Sequence, residues 1–204
     1  MRIYFSRHGE SQANLLHEVS NIGLKHPLTA QGRRQAEELA LALDDRHITR
    51  IFSSPVLRAV ETSIILAHRL YLPYQVTEAL REYDCGILEG RSDDACWATW
   101  QELFDDWAVR LRYERRIEGG ESFYEVQRRF VPFIEGLIRQ YGDDPEEQVL
   151  CIGHGGLYWM MLPLVVNNVG PDFVRKHGFP FVSPIVCDVT PLGITCTEWA
   201  GTKL

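Results

Sequence analysis

Two histidines in this chain stand in matching settings. His8 follows the apolar run Ile3-Tyr4-Phe5 and sits between Arg7 and Gly9. His154 follows Val149-Leu150-Cys151-Ile152-Gly153 and precedes Gly155-Gly156. Each reads as a buried strand that delivers a histidine to its carboxyl end and then opens into a helix. In open α/β sheets that end is where ligands bind. A histidine there can be a nucleophile, an acid/base or a metal ligand. Arg7 adds a planar fork for phosphate or carboxylate. Glycine beside it lets a ligand approach the backbone. Arg58, early in a helical stretch, and Glu82, just past an apolar run, fall on the same side of the sheet. A basic pair, two histidines and one carboxylate make an anion-handling set.

The elements that must position these residues follow from hydrophobic periodicity. Gln12–Leu16 reads as a short helix whose start lies under Arg7 and His8, with Asn14 able to point the same way. Thr29 is an N-cap, and Ala36, Leu39, Ala40 and Leu43 line one helix face. Ile48–Ser53 is a strand. Ser54-Pro55 is read as the next helix start, with the helix running to about Leu70 and presenting Val60, Ile64 and Ala67 on one face. Tyr74–Leu80 is a third strand and Gln148–Gly153 a fourth, almost wholly apolar and so central. Val186–Thr190 and Ile194–Trp199 form a hairpin at a sheet edge.

Between the third and fourth strands the chain changes character. Trp97, Trp100, Phe104, Trp107 and Leu111 recur at helical spacing behind Asp93-Asp94, and are read as packing. The helix ends in Arg110, Arg112, Arg115 and Arg116. Gly119-Gly120 breaks the chain, Ser122-x-x-Glu125 is a capping box, and Pro132 is expected to kink the helix behind it. Residues from about 85 to 121 are read as a helical cap inserted in a single domain of residues 1–204.

Composition bounds the function. The chain of 204 residues is 45% hydrophobic and 24% charged, as expected of a globular domain. A net charge of −7 argues against a general nucleic-acid or anionic-membrane binder, and requires that any positive charge for an anionic substrate be local. Five cysteines without a Cys-x-x-Cys pair argue for a reducing compartment rather than a disulfide framework or zinc site. No signal peptide or membrane span is legible, so a cytoplasmic protein is expected.

Five motifs stand in fixed order: Arg7-His8-Gly9, Ser53-Ser54-Pro55-x-x-Arg58-Ala59-x-Glu61-Thr62, Leu80-x-Glu82-x-x-x-Gly86-x-x-Glu89-Gly90, Gly119-Gly120-Glu121-Ser122 and Gly153-His154-Gly155. Together they resemble the histidine phosphatase superfamily, the phosphoglycerate-mutase-like fold, from about residue 1 to 165. The resemblance implies a three-layer α/β/α sandwich around a mostly parallel central sheet. It implies His8 as nucleophile, with Arg7, Arg58 and His154 on the phosphoryl oxygens and Asn14 helping. Glu82 is then the proton donor, and Ser11 and Gly155 are further phosphate-binding candidates. It implies no metal or cofactor and a small phosphorylated substrate.

The superfamily holds phosphatases and cofactor-dependent mutases. Where mutases carry Arg-His-Tyr-Gly after the catalytic glutamate, this chain has Tyr83-Asp84-Cys85-Gly86, which favours a phosphatase over a phosphoglycerate mutase. A phosphoprotein phosphatase and a non-catalytic phosphate-binding module are the other readings. Many small phosphatases of the family have Asp two residues before Pro-Leu-Thr, where this chain has Lys25. Lys25 with Arg112, Arg115 and Arg116 is read either as a second anion site or as a solvated surface. Trp97, Trp100 and Tyr113 are the candidates for an aromatic phosphate ester.

Overall fold

A computed structural model describes all residues, 1–204. The strands are β1 (Arg2–Arg7), β2 (Arg50–Ser53), β3 (Tyr74–Val76), β4 (Gln148–Gly153), β5 (Ile185–Thr190), β6 (Gly193–Trp199) and β7 (Thr202–Lys203). The helices are α1 (Gln12–Leu16), α2 (Ala30–Ala42), α3 (Leu57–Leu70), α4 (Asp94–Ala108), α5 (Phe123–Tyr141), α6 (Gly155–Val165) and α7 (Pro171–His177). The strands form one sheet in the order β3-β2-β4-β1-β5-β6-β7.

Strand periodicity explains the layers. Successive side chains point to opposite faces. Ile3, Phe5, Val149 and Cys151 enter the larger core, which α4, α5 and α6 cover. Tyr4, Leu150, Ile152 and Ile51 enter the smaller one, under α2 and α3. Both faces are therefore apolar, which is why β1 and β4 read as continuous hydrophobic runs. Leu150 is fully buried, and truncating such a residue to alanine costs about 2–5 kcal/mol. The result is an α/β/α sandwich.

Five expectations need correction. The sheet is mixed rather than mostly parallel: β3, β2, β4 and β1 pair in parallel, while β5, β6 and β7 are antiparallel. The hairpin β5–β6 carries this second half, and β5 is interior, bonded to β1. The third strand ends at Val76 because Thr77 accepts a hydrogen bond from the Ala79 N–H and opens a 3-10 turn over Glu78–Leu80. Helix α3 begins at Leu57, since the Ser54 hydroxyl accepts from the Val56 N–H and holds residues 54–56 in a turn. Its buried face is Arg58, Ala59, Thr62 and Leu66, while Ile64 faces out at 47% exposure.

Local signals account for the remaining helices. Thr29 caps α2, Asp93 caps α4, and Ser122 and Glu125 cap α5 reciprocally. Helix α5 runs through Pro132 to Tyr141. No helix is long and apolar enough to cross a membrane. All five cysteines are buried and unpaired.

Candidate active site

The parallel half of the sheet sets the site. In the register of β1 with β4, Arg7 lies beside Gly153, so the next residues, His8 and His154, leave the sheet side by side. Their ring centroids are 5.0 Å apart. Strand β2 ends one position away, opposite β4, and the turn after it brings Arg58 between the two histidines.

Hydrogen bonds define the tautomer of His8. Its Nδ1–H donates to the Gly9 carbonyl at 2.6 Å, and Nε2 accepts from Arg58 Nε at 2.8 Å. Nε2 therefore carries the lone pair. Burial, then the charges of Arg58 and Arg7, push the His8 pKa well below the ordinary histidine value, so the ring is neutral at neutral pH. His154 is also held neutral, chiefly by burial. Its Nδ1 faces Arg58 Nη2 at 3.2 Å and its Nε2 meets the Ser54 hydroxyl at 2.7 Å.

The two arginines are short of partners. Arg7 donates Nη1 to the Phe179 carbonyl at 3.1 Å and lies 4.0 Å over the Phe181 ring. Its Nε is buried with no acceptor, and so is Nη1 of Arg58. Burial lowers the Arg58 pKa to about 10, which leaves it a cation at neutral pH. Buried cationic donors without acceptors are costly and call for an explanation.

Glu82 approaches from the turn after the 3-10 segment. Its Oε2 accepts from the Gly156 N–H at 2.9 Å and its Oε1 from the Tyr83 N–H at 3.2 Å. Burial raises its pKa above the usual carboxylate value, against the opposing pull of Arg58 and these two N–H groups. A methyl group on Gly156 would stand 2.9 Å from both Glu82 oxygens and 2.6 Å from the Tyr83 ring, so this close approach requires glycine. Behind Glu82, Arg129 donates to its carbonyl oxygen and pairs with Glu121.

Arg7, His8, Asn14, Arg58, Glu82 and Gly155 line one cleft of about 370 Å³. His154 stands behind Arg58, fully buried. Asn14 uses its Oδ1 to accept from the N–H and hydroxyl of Ser11. Ser11 is thereby turned to the start of α1 and does not line the cleft. Gly9 serves packing rather than ligand approach: a methyl there would meet the Gly32 carbonyl oxygen at 2.5 Å.

The outer wall is aromatic. Trp97, Trp100 and Phe104 of α4 and Trp159 of α6 pack against the larger core, as the stripe was expected to, and also line the same cleft, half-buried. Only Leu103 and Trp107 of that helix's aliphatic and aromatic residues are fully in the core. Tyr113 packs on Phe123 and lies outside the cleft. The arginines after α4 are also elsewhere: Arg110, Arg112 and Arg115 surround buried Asp106 at 2.8, 3.4 and 3.5 Å, and Arg116 pairs with Glu125.

Sequence reading left Gly156, Thr62, Phe179 and Phe181 without roles, and gave Ser54 only that of a helix start. Thr62 Oγ1 accepts from the Gly9 N–H at 3.1 Å and donates to the Arg58 carbonyl, tying β1 to α3. Thr62 and Ser54 lie within quoted motifs, whereas the Phe179–Phe181 contacts to Arg7 depend on a distant loop that carries no local signal.

The fold is thus an α/β/α sandwich whose cleft brings together a neutral histidine, two guanidiniums with unpaired N–H groups and a carboxyl whose pKa burial raises. The model of the histidine phosphatase superfamily (branch 1) matches residues 3–202, and the chain belongs to that superfamily. A 6-phosphofructo-2-kinase/fructose-2,6-bisphosphatase of Aquarana catesbeiana is 33% identical over 178 residues, covering 83% of this chain and 34% of its own length. The chain thus spans about a third of such bifunctional relatives. A probable phosphoglycerate mutase of Proteus mirabilis is 33% identical over 168 residues, covering 82% of this chain and 75% of its own. The structure of an alpha-ribazole phosphatase from Shigella flexneri superposes with TM-score 0.80 over 100% of this chain and 98% of its own, at 22% identity.

Proposed function

We propose that this chain is a metal-independent phosphomonoesterase that works through a phosphohistidine at His8. In the first step His8 Nε2 attacks phosphorus, the bond to the leaving oxygen breaks, and Glu82 gives that oxygen its proton. In the second, water attacks phosphorus, Glu82 takes a proton from it, and the N–P bond breaks to release phosphate. The observation that carries the reading is the pair of buried, acceptor-less N–H groups on Arg7 and Arg58 beside an unprotonated Nε2.

The electrostatics support each role. Phosphoryl transfer spreads charge over three equatorial oxygens, so catalysis is positioning and charge stabilisation. Two guanidiniums supply that charge, with buried His154 bonded to Arg58 and the Asn14 side chain lining the same cleft. The burial that lowers the His8 pKa keeps the nucleophile free, and the burial that raises Glu82 favours the acid form needed for the first step. Arg58, bonded to Nε2 without substrate, moves its donors to phosphoryl oxygens on binding. Residues 85–121 form the cap that walls this single domain's cleft.

A phosphoglycerate mutase is the second reading, favoured by the Proteus relative. Tyr83, Asp84 and Cys85 after Glu82 supply no cation to retain a second phosphoryl group, which supports hydrolysis. The test is phosphate release from a panel of phosphomonoesters with chelator present. Hydrolysis that disappears in His8→Ala is expected. Isomerisation of 3-phosphoglycerate outrunning hydrolysis overturns the phosphatase assignment, and hydrolysis surviving in His8→Ala overturns the nucleophile.

A further inference from the structure

The wall facing the phosphoryl pocket selects the leaving group. We infer that this cleft takes monophosphate esters of uncharged, ring-bearing alcohols, with the ring against Trp97 and Trp100, rather than substrates with a second anionic group. The inference rests on the phosphatase reading and adds the substrate class to it.

Charge is the first argument. A second phosphate or carboxylate needs its own cation in the cleft. The cationic residues lining it are Arg7 and Arg58, and both serve His8. Lys25 is ion-paired to Glu18, and His26 contacts the same carboxylate at 2.8 Å. Glu18 itself lines the cleft, and the hydrogen bonds from Lys25 and His26 hold its pKa below the ordinary value, so it stays an anion. An anionic leaving group would meet that carboxylate. The arginines after α4 are committed to Asp106 and Glu125.

Surface chemistry is the second. Trp97 and Trp100 meet edge to face at 5.8 Å, Trp100 stacks on Phe104 at 5.3 Å, and Phe104 packs on Trp159 at 4.4 Å. This row is half-buried and continuous, so it is a fixed surface and not a set of loose side chains. The Trp97 indole N–H donates to the His17 carbonyl at 2.9 Å, which pins the ring and leaves its apolar body for contact. Aromatic rings in such a wall gain from stacking against another ring. A cleft of about 370 Å³ is at the small end for ligand pockets, which fits a phosphate with one or two rings.

The experiment compares esters whose alcohols differ in shape and not in reactivity: 2-phenylethyl phosphate, n-propyl phosphate and 3-phosphoglycerate. Binding of 2-phenylethylphosphonate and n-propylphosphonate is titrated in parallel. We expect kcat/KM for the phenylethyl ester to exceed that for the propyl ester by about 10- to 100-fold. Trp100→Ala should bring the ratio close to one, and Trp100→Phe should keep most of it. Equal rates and equal phosphonate binding overturn the inference while leaving the phosphatase reading intact. So does preference for 3-phosphoglycerate that is lost in Lys25→Glu. If no ester is turned over, the phosphatase reading fails, and the phosphonate titration still decides whether the wall selects rings.

Discussion

The molecule holds two arginine groups with opposite fates. Arg7 and Arg58 are packed at the carboxyl ends of β1 and β2, and each keeps a buried N–H without an acceptor. Arg110, Arg112 and Arg115 converge on Asp106, whose side chain is 2% exposed, and are themselves half in solvent. The first group carries desolvation that the Phe179 carbonyl, His8 and the charge of Glu82 offset only in part, and the second shares a carboxylate of its own. A cluster of cations binds a ligand where the fold withholds a partner; where it supplies one, the cluster ties down a loop. Here Asp106, together with the Trp107 N–H donated to the Arg115 carbonyl, fastens residues 110–115 to α4.

The largest effect that would break this contrast is at Arg58. Arg58→Ala should lower kcat/KM by about 10²–10³, as for loss of one preorganised donor to a developing anion. In Arg58→Met, which keeps most of the volume, Tm should not fall, because an incompletely paired buried cation is replaced by an apolar chain. A strong loss of Tm with little loss of rate would place Arg58 with the structural group.

The acid partner gives the next. Glu82→Gln should slow alkyl ester hydrolysis by about 10²–10⁴. For the unmodified protein the rate should fall on the acid side only below the ordinary histidine range, as His8 Nε2 takes a proton. On the alkaline side it should fall above the ordinary carboxylate range, as Glu82 loses its proton. Glu82→Gln should remove that alkaline limb, which a pH profile of kcat/KM would show. Gly156→Ala, which pushes against both Glu82 oxygens, should cost about 10²-fold in kcat with the phosphate affinity little changed.

The smallest catalytic effect belongs to the second arginine group. Arg112→Ala should leave kcat/KM within about twofold, as expected of a surface residue away from the site. Asp106→Asn should lower Tm at neutral pH. The hydrogen bond from Arg110 holds the Asp106 pKa below its ordinary value. Its stabilisation is therefore present above the unfolded carboxyl pKa and fades as pH falls through the lowered one. Thermal melts from neutral to acid pH should show Asp106→Asn converging on the unmodified protein.

The same contrast explains what could be read from the chain. The buried strands β1 and β4 and the residues at their ends were legible, because continuous apolar runs that stop at histidine and glycine describe both the layer and its edge. The proposed catalytic set needed five motifs in order, since none separates a site from a surface by itself. The arginines after α4 could not be assigned, because whether Asp106 takes them depends on how residues 109–116 turn back. The face of α3 was misread for a related reason: the helix buries Arg58 and Thr62 toward the site and leaves Ile64 outside, reversing hydrophobic expectation where function sits. The α4 stripe was read as packing because periodicity reports a buried face without saying whether a core or a cleft lies against it. The antiparallel half of the sheet was underweighted because a hairpin signal does not reveal that β5 docks on β1. Helix α7 is absent from the sequence reading although Pro171 and Asp172 open it and Arg175, Lys176 and His177 precede Gly178 at its end.

The central claim is the covalent step at His8, and the direct measurement is to trap it. The protein is mixed with a phosphomonoester under chelation and quenched within the first turnover in alkaline denaturant, where phosphohistidine survives. Peptides are then mapped by mass. The account predicts one phosphate on the peptide carrying His8, absent in His8→Ala and accumulating further in Glu82→Gln when the ester has a good leaving group. Phosphate on another residue, or multiple turnovers with no phosphorylated histidine at any time, would contradict it.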